Sequence, residues 1–394
     1  MSRPLRILQA VPYFDPAYRY GGPVKSVFQL CVHLARRGHE VVVYATNANG
    51  DERLPVRAGE PVPRDGFTVT YFANYLLHEY FFPCPGVLRR ILAERPRFDV
   101  IHSHCPYSFL DLVLGPYARA RGIPWIMSAR GSLDPVAREK KSLLKRASDV
   151  LYVGPNLRHA RWCVALTPYE ADNYRRLGVP TERIAVVPNG IEAPTLDTAA
   201  GRAFRRRHGI GDDEVVFLFL SRIDWKKGLD LLVPAFARAR AGCPRARLVI
   251  AGGDYGFGGE LDRLLGDARL GDAVVRTGML EGADKWAALA AADAFCLTAH
   301  SEGLPMSVLE GLACGLPQVL TDACNVPEVA EAGAGVVLPR EVGPISVALR
   351  RLCEDPALRR EQGQAAGRLA RARFDIERTV DALEGLYRGC VGAD

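Results

Sequence analysis

Ser301-Glu-Gly-Leu-Pro-Met-Ser-Val-Leu-Glu-Gly-Leu-Ala-Cys-Gly-Leu-Pro-Gln-Val-Leu320 is the stretch on which the fold turns. Before it stands a short apolar run, Ala294-Phe-Cys-Leu-Thr298, which reads as a buried strand. The loop His300 to Leu304 comes next. Pro305 suits the first position of a helix, where its missing N–H would be unpaired anyway. Met306, Val308, Leu309 and Leu312 then make one apolar face at helical spacing. Gly315 and Pro317 stop the helix, and Gln318-Val-Leu-Thr321 begins another strand. Strand, loop, helix and strand in this order place the loop at the carboxyl edge of a parallel sheet.

Two carboxylates frame that helix, Glu302 before it and Glu310 near its middle. The helix N-terminus offers free backbone N–H groups and a partial positive charge, which suit a phosphate. Those amides belong to residues around Leu304, Met306 and Ser307, and Gly303 lets a ligand approach the backbone. Carboxylates accept hydrogen bonds from hydroxyl groups. The pattern fits a ligand with a diphosphate in its middle and hydroxylated rings at both ends. On spacing alone, the two glutamates read equally as a solvated helix start and a surface helix residue.

The wider text is more specific. E-G-L-P-x-S-x-L-E-G-L-A-C-G-L-P resembles the signature of the family-4 retaining glycosyltransferases, in which two glutamates flank seven residues. Ser221-Arg-Ile-Asp-Trp-Lys-Lys-Gly228 follows a continuous apolar strand, Val215 to Leu220, and resembles the family's G-R-(x)4-K-G loop. Arg222 and Lys227 occupy the matching positions, and Lys226 is expected in solvent. The resemblance implies an α/β chain of the GT-B type, two doubly wound Rossmann-like domains facing a central cleft. It implies that Arg222 and Lys227 hold the diphosphate of a nucleotide sugar and stabilise the leaving group. Glu302 then meets the donor sugar near the reacting face, and Glu310 the ribose hydroxyls. The nucleobase lies against the backbone at Gly278 and Met279.

The resemblance is weaker in the first half. Asp99-Val-Ile-His-Ser-His-Cys-Pro106 is similar to a family strand written D-V-(V/I)-H-x-H. His104 at its end is a candidate acceptor or sugar contact, and His102 is read as packed. Many relatives end the next strand, Ile123 to Arg130, with a histidine that reaches the donor sugar; here Arg130 stands in that place. An arginine there suits a phosphate or carboxylate. Ile184-Ala-Val-Val-Pro-Asn-Gly-Ile191 resembles the family's V-x-P-N-G segment, which hands the chain to the second domain.

A chain of 394 residues is too long for one typical core. The expected division is an acceptor-binding domain over 1–195, a nucleotide-sugar-binding domain over 196–373, and a last helix over 374–394 crossing back to the first. Pro194 to Ala200 is read as the linker. The net charge of +6 is uneven: through Thr195 there are 26 Lys+Arg against 17 Asp+Glu, a balance of +9. That favours an acidic or lipid-linked glycan acceptor, or an anionic membrane surface, and reads equally as a solvated arginine-rich face. No motif or aromatic-basic array supports nucleic acid. The ten cysteines are scattered without a C-x-x-C pair, and Cys31, Cys163 and Cys296 sit in apolar runs. With no spanning apolar run and no secretion signal at Met1 to Val11, the expected location is the cytoplasm, peripheral on the inner face of the membrane.

In chain order, Leu5 to Val11 is a first strand, and Val24 to Ala35 the apolar face of a helix. Gly21 and Gly22 open that helix and permit close approach of a ligand. The dinucleotide fingerprint G-x-G-x-x-G is absent, which argues against a dehydrogenase. Gly59 to Gly66 reads as a loop. The aromatic segment Tyr71 to Pro85 reads as an acceptor lining, a membrane contact or core. Arg138 to Arg146 is a basic helix, membrane-facing or solvated. No D-x-D occurs, and the two histidines lack further ligands at supporting spacing, so no metal site and no cofactor is expected. The expected reaction is metal-independent transfer of a sugar from a nucleotide diphosphate sugar to an acceptor hydroxyl. An epimerase of the same architecture and a non-catalytic nucleotide-sugar-binding protein are the alternatives.

Overall fold

The structure is a computed structural model that describes residues 3–75, 81–139, 142–192 and 195–392. The chain separates into two compact units, residues 1–190 with 376–394, and residues 191–375.

The first unit holds β1 (Arg6–Tyr13), β2 (Glu40–Thr46), a small hairpin of β3 (Ala48–Asn49) and β4 (Glu52–Arg53), then β5 (Pro61–Arg64), β6 (Phe67–Phe72), β7 (Val100–His104), β8 (Trp125–Ser128), β9 (Trp162–Ala165) and β10 (Ile184–Val186). Outside the hairpin these form one sheet in the order β10-β9-β8-β7-β1-β2-β6-β5. Every neighbouring pair is parallel except β5 with β6. Alternation along β1 sends Leu8 and Ala10 into one core layer and Ile7 and Val11 into the other. The second layer is closed by the helix Gly22–Arg36 and by the last helix, Ile376–Val391, through Ile376, Val380, Leu383 and Tyr387. A ring of charges anchors that last helix. Arg37 reaches Glu377, Asp381 (2.6 Å) and Glu384 (3.0 Å), and His39 Nε2 lies 3.3 Å from Glu384.

The second unit holds β11 (Val215–Leu220), β12 (Ala246–Ala251), β13 (Val274–Gly278), β14 (Ala294–Leu297), β15 (Gln318–Thr321) and β16 (Gly335–Leu338). They form a fully parallel sheet in the order β13-β12-β11-β14-β15-β16. All six residues of β11 are buried, because the strand is central and covered on both faces. Strand order reverses between β1 and β7 in one sheet and between β11 and β14 in the other. In doubly wound folds, ligands collect at the carboxyl ends of the strands beside such reversals.

Several elements differ from the sequence reading. Residues 61–64 are not loop but an antiparallel edge strand, where Pro61 and Pro63 are tolerated because an edge residue need not donate to a neighbour. The linker reading stops at Asp197, whose carboxylate caps a helix over Thr198–Arg207. Pro305 is the residue before the helix Met306–Ala313, with extended ψ of 124°, rather than its first member. The basic segment is helical over Pro135–Glu139 and Ser142–Ser148. Lys140 and Lys141 lie outside the described residues, as does the middle of the aromatic segment, residues 76–80.

Candidate active site

In the second unit, the loop after β11 is stitched to the end of β14. Asp224 accepts a bond from the Lys226 N–H (2.9 Å) and caps the short turn Trp225–Lys227. Gly228 then takes φ of +70°, and a Cβ there would stand 1.7 Å from the Thr298 carbonyl oxygen. Only glycine allows this approach. Thr298 Oγ1 donates to the Gly228 carbonyl (2.7 Å), and the His300 N–H donates to the Lys226 carbonyl (2.7 Å). The Trp225 ring stacks on His300 at 4.9 Å, and His300 Nε2 is held by both oxygens of Asp230.

This stitching brings Lys227 Nζ onto Glu302 Oε1, with each side chain 12% exposed. The two residues come from loops on adjacent strands, β11 and β14, at the reversal of strand order. Backbone bonds fix Glu302, its N–H to the Ala323 carbonyl (3.0 Å) and its carbonyl to Asn325 Nδ2 (2.6 Å). Gly303 follows, and the buried side chains of Leu304 and Met306 leave only their backbone for a ligand; Ser307 is half-buried. Arg222 lies over the Tyr255 ring (5.2 Å to its centroid) and makes no ion pair among the described residues. At the end of β13, Gly278 accepts the Gly252 N–H (2.8 Å), beside a half-exposed Met279.

Glu310 is not the open helix residue that its spacing suggests. It is buried, and Lys285 Nζ donates to its Oε1 at 2.6 Å while lying 4.2 Å from the Trp286 ring centroid. Lys285 lies on the helix Gly282–Ala291, outside the motifs that the sequence singles out. The available signal was one lysine beside the apolar run W-A-A-L-A-A, a position where a charge needs a partner.

In the first unit the two histidines of β7 are internal. His102 and His104 are fully buried, so His104 presents no surface to a ligand, against the expectation of an acceptor or sugar contact. A chain of hydrogen bonds explains why they are tolerated. Arg130 Nε donates to His104 Nδ1 (2.9 Å), and His104 Nε2 donates to Gln9 Oε1 (2.6 Å). Gln9 Nε2 donates to the Tyr387 hydroxyl (3.2 Å), Tyr387 to His102 Nδ1 (2.7 Å), and His102 Nε2 to Ser128 Oγ (2.7 Å). This order gives each imidazole one N–H and one acceptor. Burial holds both well below the usual histidine range, and the Arg130 charge adds to it, so both are neutral.

Arg130 itself is partly exposed. Its Nη1 donates to Ser26 Oγ (2.9 Å) and Asn189 Oδ1 (2.7 Å). It adopts φ of +50°, unusual for a side-chain-bearing residue and costing on the order of 1 kcal/mol or more. The buried Glu170 carboxylate holds this turn by accepting the Gly131 N–H (2.6 Å) and the Leu166 N–H (2.7 Å). Its sequence signal is Thr167-x-x-Glu170, a helix-start pattern in which Thr167 Oγ1 accepts the Glu170 N–H. Gly22 opens the helix Gly22–Arg36 four residues before Ser26. Among the described residues, no group of three or more His, Cys, Asp or Glu is placed to hold a metal ion.

Comparison with known proteins bears on what these residues do. Residues 202–368 match the family model of glycosyl transferases group 1, and residues 21–190 that of the glycosyl transferase 4-like domain. The D-inositol 3-phosphate glycosyltransferase of Stackebrandtia nassauensis is 31% identical over 93% of this chain and 86% of its own. The chain belongs to the family-4 glycosyltransferases. A second relative of this glycosyltransferase is the GDP-mannose-dependent alpha-(1-6)-phosphatidylinositol monomannoside mannosyltransferase of Mycolicibacterium smegmatis. It is 29% identical over 85% of this chain and 86% of its own. Among solved structures, HepE of Anabaena, in complex with UDP and glucose, superposes with a TM-score of 0.78 at 19% identity, covering 98% of this chain and all of that one. WaaG, a glycosyltransferase involved in lipopolysaccharide biosynthesis, gives a TM-score of 0.72 at 18% identity over 97% of this chain and all of that one. The fold is GT-B, two Rossmann-like units, and the protein is a glycosyltransferase. No helix among the described residues is long and apolar enough to cross a membrane.

Proposed function

We propose that this enzyme transfers a hexosyl group from a nucleoside diphosphate sugar to a hydroxyl of an anionic or lipid-linked glycan acceptor, with the anomeric configuration retained, in bacterial surface polysaccharide or lipid-linked glycan synthesis. The observation that carries the reading is the Lys227–Glu302 pair at the strand reversal between β11 and β14. An ammonium has three donors, so Lys227 serves a phosphate oxygen while keeping Glu302 aimed. Arg222, without a competing carboxylate, supplies the second cation against the charge that grows on the departing diphosphate. Backbone N–H groups at Met306 and Ser307 add to it. Glu302 orients the sugar through its hydroxyls. Glu310 keeps its second oxygen for ribose, with Lys285 holding the carboxylate in place. The attacking hydroxyl arrives on the face the diphosphate leaves, and its proton goes to the departing phosphate oxygen, so no enzyme nucleophile takes part. The nucleotide sugar is a co-substrate; the reading assigns no metal and no other cofactor.

HepE is solved with UDP and with UDP-glucose, and the mycolicibacterial relative is GDP-mannose-dependent, which supports a nucleotide sugar donor. The relatives' names carry inositol phosphate or phosphatidylinositol, which supports an anionic acceptor, as does the basic first half of the chain. Peripheral membrane contact is supported by Leu143, Leu144, Val150 and Leu151, which are 67–79% exposed near Arg146.

A thermal-shift panel of UDP-, GDP- and ADP-sugars identifies the donor, because a ligand at ~100 times its Kd adds ~2.7 kcal/mol to the folded state. With that donor and a phosphorylated or lipid-linked glycan acceptor, nucleoside diphosphate release should depend on acceptor, persist in EDTA and leave an alpha product from an alpha donor. An isomerised sugar formed without acceptor would make the protein an epimerase. Saturable binding without turnover across an acceptor panel would make it a binding protein.

A further inference from the structure

A second basic site lies in the first unit, away from the residues discussed above. A cavity of about 360 Å³ opens beside the starts of three neighbouring strands, β8, β9 and β10. Trp125 begins β8, Arg161 immediately precedes β9, and Arg183 immediately precedes β10. This is the amino edge of the parallel sheet, opposite the carboxyl edge where His104 ends β7 and Arg130 follows β8.

Three guanidinium groups and His159 line this space, and among the described residues no carboxylate lines it. Two of the arginines are held in place. Arg119 Nη1 donates to Asn156 Oδ1 (2.8 Å), and Asn156 is fully buried, with its Nδ2 donating to the Asp111 carbonyl (2.9 Å). Asn156 fits there only because residue 115 is glycine: a Cβ at Gly115 would lie 2.1 Å from Asn156 Oδ1. Arg183 Nη1 donates to the Arg158 carbonyl (2.7 Å) and more weakly to that of Ala160 (3.4 Å). Each contact uses one corner of a guanidinium and leaves the rest of its five donors. Arg161 is exposed, and none of the three arginines has a carboxylate partner among the described residues. The floor is apolar, with Ile123, Pro124 and Trp125, and the buried Trp125 indole N–H has no acceptor among the described residues.

We propose that this cavity binds a phosphate-bearing small molecule, its phosphate clamped by Arg119, Arg161 and Arg183 and its carbon body resting on Trp125. Guanidinium forks match phosphate oxygens in pairs, and charge-assisted bonds of this kind are about twice as strong as neutral ones. The volume holds a monophosphate or diphosphate with a small organic group. A soluble phosphorylated compound and a phospholipid head group present the same chemistry.

Inorganic pyrophosphate is the probe, read by the indole N–H resonances of the ¹⁵N-labelled full chain. Trp125 reports this cavity; Trp225, beside Lys227, reports the donor loop independently. Pyrophosphate should shift the Trp125 resonance saturably, and Arg161→Glu should raise the midpoint at least tenfold while Arg161→Lys recovers part of it. Arg161 is exposed, so its substitution leaves the fold intact, and donor-dependent turnover should be unchanged. A Trp125 resonance that does not move, that moves equally with sodium chloride at matched ionic strength, or that titrates identically in Arg161→Glu overturns the site, whatever Trp225 does. Sedimentation with phosphatidylglycerol-containing vesicles then assigns the source. Loss of pelleting in Arg161→Glu marks a lipid head group; unchanged pelleting together with the Trp125 shift marks a soluble phosphate.

Discussion

Lys285 and Glu310 show how much one buried ion pair constrains its surroundings. Neither charge has water to fall back on, so each depends on the other. Lys285→Met should therefore cost ~3–5 kcal/mol in urea unfolding, because it strands a buried carboxylate. Lys285→Met with Glu310→Met should recover most of that loss, while donor affinity stays lost in both. Lys227→Ala tests the other pair: it removes the cation proposed to face the leaving diphosphate, and kcat should fall ~10²–10³-fold, as for loss of one group stabilising transition-state charge. Unchanged kcat in that variant would remove Lys227 from the reaction. At Arg130 the consequence is wider than one contact. Its replacement by Ala leaves His104 Nδ1, Ser26 and Asn189 without their donor, so destabilisation should accompany any change in KM.

The loop between β11 and the helix Leu229–Arg240 is the element on which the proposed donor site rests. Its cap at Asp224, its left-handed Gly228 and its bonds to Thr298 and His300 make one rigid corner that carries Lys227. Gly228→Ala should break this corner by steric overlap as well as backbone strain, the strain alone costing ~1–3 kcal/mol. The measurable result is a lower urea midpoint together with weaker donor binding. A variant that lost stability while binding donor normally would show that the corner does not position Lys227.

At the scale of the whole molecule, the first unit is assembled from both ends of the chain. The last helix supplies apolar residues to its core and the Tyr387 hydroxyl to the polar chain between β1 and β7. Glu384 fastens that helix. Partial burial works to raise its carboxyl, but hydrogen bonds from Arg37 and Arg388, with the His39 ring close by, outweigh this and hold it at about 2. The folded value lies below the ordinary one of ~4.3, so the stabilisation is complete above that pH and disappears as the pH falls toward 2. Hydrogen exchange across residues 376–391 should accelerate in that window before β1 and β7 do. Glu384→Gln should remove this acid-dependent step, and an unaltered profile in the variant would assign it elsewhere.

Local order in the chain was enough for the α/β class and for the loop-then-helix units. An apolar run such as Val215 to Leu220 can only be a covered central strand, and Pro305 and Gly315 bracket a helix through their own backbone limits. The loop motifs around Arg222, Lys227, Glu302 and Glu310 were equally legible, because they are contiguous and their residue types follow from charge. Three-dimensional packing alone decided which side chains meet. Residues distant in sequence became partners: Lys285 with Glu310, Lys227 with Glu302, and Arg130 with His104 and Asn189. It also turned His104 inward, since a neutral imidazole is stable in a core only when both nitrogens are satisfied, and its two partners, Gln9 and Arg130, come from separate segments of the chain.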